Sequence, residues 1–254
     1  MELTRQSAMS EKSNKVGWRN LYLASGILLI LTPILSFVVA YMGRILYTPS
    51  YPSDPASYLQ LISQRQGLAT ASWIIWIIAD FLLLLPSVAL YILLHRYNRT
   101  LALLGSLISI FYIIYDVSVT ELNSLTLVSL GHAYAAATNE TLQSSFAAAA
   151  TYGYYALPLQ TVLSYAIGSI GWILWCVPMT KSFFGRWTAI FGVIVNITGI
   201  LGAAYPLIPT SFFLGLCQFM CVRLIAVWFF IMGVQLLRHL HRLPKDDVDP
   251  AGES

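Results

Sequence analysis

Charge is what this sequence lacks. Of 254 residues, 14 are lysine or arginine and 11 are aspartate or glutamate, 10% together, where a soluble domain carries about 25%. So few charges cannot cover a surface that faces water on all sides, which excludes a soluble globular protein. Lysine is missing from every long apolar run, which excludes a retinal-type Schiff base. Four histidines, His95, His132, His239 and His241, fall at the ends of apolar runs or in tails. No two of them can clamp a haem, and no His/Asp/Glu group shows metal-ligand spacing along the chain. The three cysteines, Cys176, Cys217 and Cys221, form no C-x-x-C pair and lie within apolar stretches. They read as small buried hydrophobes rather than zinc ligands or disulfide partners. Glycine-rich phosphate loops and nucleophile elbows are absent, and no basic patch interleaves with aromatics, so nucleic acid is excluded as a partner. On these grounds no cofactor is expected, and an enzyme is the least favoured class.

What is present is apolar length. Hydrophobic residues make up 57% of the chain and the mean hydropathy is +0.71. A membrane-crossing helix needs about 20 predominantly apolar residues. Six segments qualify: 20–45, 68–94, 101–129, 153–178, 187–206 and 211–237. None alternates as a strand would, and no internal repeat is evident. The predicted fold class is all-α, a polytopic bundle of six transmembrane helices over 20–237. Residues 1–19 read as an N-terminal tail and 238–254 as a C-terminal tail.

Lysine and arginine orient the bundle. With the N-terminus in the cytoplasm, Arg5, Lys12, Lys15, Arg19, Arg96, Arg99, Lys181, Arg186, Arg238, Arg242 and Lys245 lie inside, and only Arg44 and Arg65 outside. Eleven against two predicts cytoplasmic termini in a plasma membrane and requires an even number of spans. The short loops "HRYNRT" and "TKSFFGR" make spans 2 and 3, and 4 and 5, antiparallel neighbours. "YPLIPTSF" is expected to form a tight outer turn. Outside, "ASYLQLISQRQ" suits a short interfacial helix, and the alanine-rich stretch after Thr138-Asn139 suits a capped helix running into span 4. Tyr152, Tyr154, Tyr155 and Trp187 read as interface aromatics.

Three charges lie near mid-depth in the spans. Asp80 ("WIIWIIADFLLLLPS") and Arg223 ("CQFMCVRLIAVWFF") each fall 12 residues, about 18 Å, from the outer boundary of their spans. Asp116 ("FYIIYDVSV") is about 24 Å from the inner one. A charge at mid-depth costs about 2.5–3.5 kcal/mol, and one guanidinium can bond two carboxylates. Arg223 is therefore expected to face inward and pair with Asp80, Asp116 or both. Trp73 and Trp76 share the face of Asp80, and Tyr112 that of Asp116. Asn196 lies on a small-residue stripe with Gly192, Gly199 and Ala203. Together, Asp80, Asp116, Arg223, Tyr112, Trp76, Trp73 and Asn196 form the candidate site. Glu121, about 140° around its helix from Asp116, is expected to be solvated.

Two stretches, "ADFLLLLPSVALYILLHRYNRTLALLGSL" (79–107) and "AVWFFIMGVQLL" (226–237), resemble an uncharacterised family of six-span prokaryotic integral membrane proteins, a domain of unknown function. The resemblance implies the six-span layout and no mechanism. Three readings of function stay open. The leading one is binding or transport of a small amphipathic ligand or a proton at a polar, aromatic-lined intramembrane centre. The second is a non-catalytic accessory or assembly subunit, as a homo-oligomer or with partner membrane chains. An intramembrane enzyme is third. A purely structural ion-pair cluster is the competing account of the buried charges.

Overall fold

The structure, a computed structural model, describes residues 2–47, 52–205, 208 and 210–242, with 2–17 and Val222 as backbone only. Its helices are α1 (Glu2–Leu46), α2 (Pro55–Gln64), α3 (Gln66–Leu82), α4 (Leu84–Leu94), α5 (Arg99–Tyr115), a π-helix (Asp116–Glu121), α6 (Leu122–Ala136), α7 (Glu140–Met179), α8 (Gly185–Ala203) and α9 (Phe212–Arg242). No strand occurs among the described residues. Six helical stretches are long and apolar enough to cross a membrane: Trp18–Leu46, Gln66–Leu94, Arg99–Ala136, Glu140–Met179, Gly185–Ala203 and Phe212–Arg242. Each overlaps one of the six apolar segments, so the fold is an all-α polytopic bundle. Helix α1 runs unbroken from Glu2, with its membrane-crossing stretch beginning at Trp18. Residues 243–254 and the prolines of "YPLIPTSF" lie outside the described residues.

The spans close into a ring in chain order. α1 packs on α3 and α4, α4 on α5, α5 and α6 on α7, α7 on α8, α8 on α9, and α9 returns to α1. Short loops enforce the neighbours, as expected. Asn98 caps α5, its side-chain oxygen accepting from the Leu101 amide at 3.0 Å, and Gly185 adopts φ 76° in the turn between α7 and α8. Small residues set how near the helices come, because in lipid close van der Waals contact drives association. A Cβ at Gly105 would fall 2.9 Å from the Gly171 carbonyl oxygen and 2.6 Å from Trp175. The main core lies along α5, α7, α8 and α9, around Trp172, Trp175, Trp228 and Phe229.

The second span is broken. α3 ends at Leu82 and α4 begins at Leu84, with the Leu83 amide bonding the Asp80 carbonyl at 2.9 Å. Pro86 explains it, since proline offers no amide and its ring crowds the carbonyl four residues back, that of Leu82. The break falls one turn after Asp80.

Beyond the spans, α2 packs on α6 and α7 as a lid over a second core of Tyr58, Leu59, Ile62, Leu127 and Tyr154. Tyr154, read from sequence as an interface residue, is buried there and donates to the Pro52 carbonyl at 2.7 Å. Its neighbours Tyr152 and Tyr155 are exposed. Asn139 is the cap of α7, accepting from the Leu142 amide at 2.8 Å. Arg65 donates to the final carbonyls of α1, at 2.9 Å for Leu46.

Asp54 caps α2, accepting from the Ser57 amide at 2.9 Å. That backbone hydrogen bond, then the Ser57 hydroxyl, holds its carboxyl below the usual value. A depressed carboxyl stabilises above its unfolded value and loses the contribution as pH falls through the folded one. Protection of the amides over 55–64, taken relative to their intrinsic exchange rates, is therefore expected to fall on acidification below about pH 4, and to be low in Asp54→Ala already at neutral pH. Protection independent of pH in the native protein would refute the cap.

Candidate functional site

Asp80 is carried by the last turn of α3, with Trp76 and Trp73 one and two turns earlier on the same stripe. Tyr112 is on α5, one turn before Asp116. These elements meet at the bundle centre. The Tyr112 hydroxyl donates to Asp80 Oδ1 at 3.1 Å, and Trp76 Nε1 donates to Asp116 Oδ2 at 3.3 Å. Tyr112 is held from behind by an edge-on contact with Trp172, ring centres 5.2 Å apart. It fits because position 168 is glycine: a Cβ there would lie 3.0 Å from the Tyr112 ring.

The residue that completes the centre is Glu121, and here the solvated reading is corrected. Glu121 is 0% exposed. In a regular α-helix it would point about 140° away from Asp116. Residues Asp116–Glu121 instead form a π-helix, whose i→i+5 hydrogen bonding widens the turn and brings residues five apart onto one side. Asp80, Asp116 and Glu121 consequently converge, all buried, with one oxygen of each within 4.8 Å of the others. No spacing along the chain signals this trio. Only the widened turn and the α3–π-helix contact assemble it.

The pairing expected of Arg223 is likewise corrected. Arg223 is exposed on the outer face of α9, its guanidinium 3.7 Å from the Phe219 ring centre and donating to the Phe219 carbonyl. Helical phase is the reason. The buried stripe of α9 is Cys217, Cys221, Ile225, Phe229, Met232 and Leu236, and Arg223 sits two residues, about 200°, from both Cys221 and Ile225. Its own stripe, Leu216, Phe219, Val227 and Phe230, is exposed throughout. The side chain runs back toward the start of its helix, as snorkelling arginines do. Among the described residues, the donors that reach the trio are the neutral Tyr112 and Trp76.

Asn196 is buried but elsewhere. Its amide nitrogen donates to the Gly192 carbonyl at 2.7 Å, on the α8 face where Gly192 meets Trp228 and Cys176. It is not among the residues lining the cavities at the centre.

Two cavities flank the trio. The larger, about 200 Å³, lies toward the α2 end between α1, α3, the π-helix and α7. Asp116, Thr120, Ser72 and Thr161 give it polar edges, and Trp73, Trp76 and Tyr165 give it flat walls. The smaller, about 40 Å³, touches Asp80, Tyr112 and Trp172, and shares Trp76 and Tyr165 with the first. Buried polar atoms without a hydrogen-bond partner gather here: Trp73 Nε1, Thr120 Oγ1, Asp80 Oδ2 and both Glu121 oxygens. Next to them, Asn123 ties the turn after the π-helix to α7, donating to Gln160 Oε1 at 2.8 Å and the Gly153 carbonyl at 3.0 Å. Sequence reasoning placed Thr120 on the face of Asp116 and missed Glu121 and Thr161, the latter because threonine and serine hydroxyls recur throughout the spans.

Residues 24–239 match the model of a family described as Domain of unknown function (DUF4386). No curated protein and no solved structure matches the chain.

Proposed function

Since the chain belongs to the DUF4386 family, a domain of unknown function, we propose its role from the site itself: the protein binds a small, partly apolar molecule bearing a basic nitrogen in the larger central cavity. One observation carries the reading, a cavity of about 200 Å³ walled by Trp73, Trp76 and Tyr165 with Asp116 at its edge. That volume is far above the ~10–15 Å³ one water needs, and a mostly apolar chamber with few polar anchors is the usual form of a small-molecule site. Asp116 supplies the negative charge, with Asp80 and Glu121 behind it adding to the field. The indole and phenol faces favour a cation over a neutral group, and Thr120 Oγ1 and Trp73 Nε1 stand ready for polar atoms of the ligand. Binding at this depth is what either transport across the bilayer or retention within it requires.

Thermal unfolding of the detergent-purified protein tests this against a series of hydrophobic amines and their neutral alcohol or ether isosteres. An amine at 100 times its Kd should stabilise by about 2.7 kcal/mol. The isostere should do little, and Asp116→Asn should abolish the amine effect. Equal shifts from amine and isostere, or none from either, would overturn the proposal.

A second reading, an assembly subunit, is favoured by one observation: Arg223 lies on an exposed apolar stripe of α9. A carboxylate on a partner helix would suit it, and the Arg223 substitution discussed below separates the two situations.

A further inference from the structure

We infer that Asp80, Asp116 and Glu121 together hold a single hard divalent cation, beside the cavity proposed for the organic ligand and sharing Asp116 with it. Three carboxyl groups, one from α3 and two from the π-helix, turn an oxygen each to a common point, within 4.8 Å of one another. Oxygens gathered within that span can share one hard cation. All-oxygen donors select a hard cation over zinc or copper.

The oxygens left over match what coordination needs. Tyr112 and Trp76 occupy Asp80 Oδ1 and Asp116 Oδ2. Asp80 Oδ2 and both oxygens of Glu121 have no hydrogen-bond partner among the described residues. A feature outside the carboxyl trio points to a ligand as well. Thr120, next to Glu121 in the same widened turn, is only 5% exposed. Its hydroxyl has no hydrogen-bond partner among the described residues, and the residue lines the cavity that Asp116 borders. A neutral oxygen donor and a path for water or the ion thus adjoin the carboxyls. The π-helix is the enabling element, since a regular helix would separate Asp116 from Glu121. Three carboxylates and one divalent ion sum to −1, which the Tyr112 and Trp76 donors partly offset.

The purified full chain, stripped with chelator, is titrated with Ca²⁺ by calorimetry and with Mn²⁺ by electron paramagnetic resonance. Binding of one ion per chain is expected, with Ca²⁺ displacing Mn²⁺. Glu121→Gln should weaken it about 10-fold or more, and Glu140→Gln, at the exposed start of α7, should leave it unchanged. Infrared difference spectra of the native chain should show carboxylate stretches shifting on Ca²⁺ addition, a readout that holds even where Glu121→Gln or Asp80→Asn fails to fold. Absence of saturable Mn²⁺ binding, affinity indifferent to Glu121→Gln, or protonated-carboxyl bands that persist in Ca²⁺ would overturn the inference and leave shared protons as the neutralising species. An amine-induced thermal shift that survives the chelator would uphold the cavity ligand whatever the outcome here.

Discussion

Gly105→Val is expected to lower the stability of the bundle by about 3 kcal/mol, combining overpacking with loss of a hydrogen bond. The α5–α7 crossing has no slack. A Cβ at 105 meets the Gly171 carbonyl and the Trp175 ring under 3.0 Å, and a Cβ at 171 meets the Ser109 amide at 3.0 Å. One of the obstacles is backbone, which cannot rotate aside. Displacing Trp175 would also break its bond to the Ser106 hydroxyl, 3.1 Å, whose proton goes to the Ser87 carbonyl across α4 at 2.9 Å. Three helices are therefore coupled through one glycine. Gly67→Ala is the control: among the described residues nothing lies within 4 Å of a Cβ built there, and alanine's better helix propensity is worth up to about 1 kcal/mol. Thermal unfolding in detergent should separate the two in opposite directions. Equal midpoints would mean that α5 and α7 do not approach at Gly105.

Arg223→Leu is expected to leave the fold intact and to favour membrane insertion of its span by about 2.5–3.5 kcal/mol, less whatever snorkelling already recovers. The sign is the diagnostic. Were Arg223 paired with the central acids, its loss would strand them and cost about 3–5 kcal/mol. On the exposed stripe with Phe219 and Phe230 it strands nothing, so combination with Asp80→Asn should be additive. Insertion can be read from reporter-tagged spans in microsomes, and stability from unfolding of the purified variants. Destabilisation of the isolated chain by Arg223→Leu, relieved by Asp80→Asn, would overturn the outward placement. Loss of a larger assembly, with the single chain unharmed, would identify α9 as a face that meets a partner.

The outward Arg223 was legible in the sequence, in the wrong place to be noticed. Cys217, Cys221, Ile225 and Phe229 recur every four residues, and Arg223 stands between them on the opposite side. Reasoning from the cost of a buried charge overrode that periodicity, because arginine can reach toward an interface when an aspartate cannot. Asp80 and Asp116 carry short side chains, so their inward placement follows from position alone. Trp73, Trp76 and Tyr112 then follow from helical offsets. Glu121 could not be found this way. Every offset argument assumes 3.6 residues per turn, and the π-helix violates it at the one place that matters. Asn196 illustrates the opposite error, since a polar residue on a small-residue stripe served helix packing and donates its amide nitrogen within its own helix.

The sequence by itself determined six spans, an even crossing number, which neighbours short loops would pair, and that a cap would fall at Thr138 or Asn139. These depend on apolar length, loop length and local hydrogen bonding, all of which are read within a few residues. Tertiary structure alone decided the closure of the ring through α9 and α1, the burial of Tyr154 beneath α2, and the meeting of Asp80, Asp116 and Glu121. Those depend on how far each helix turns before it meets its neighbour, and a single widened turn rotates everything on one side of it relative to the other.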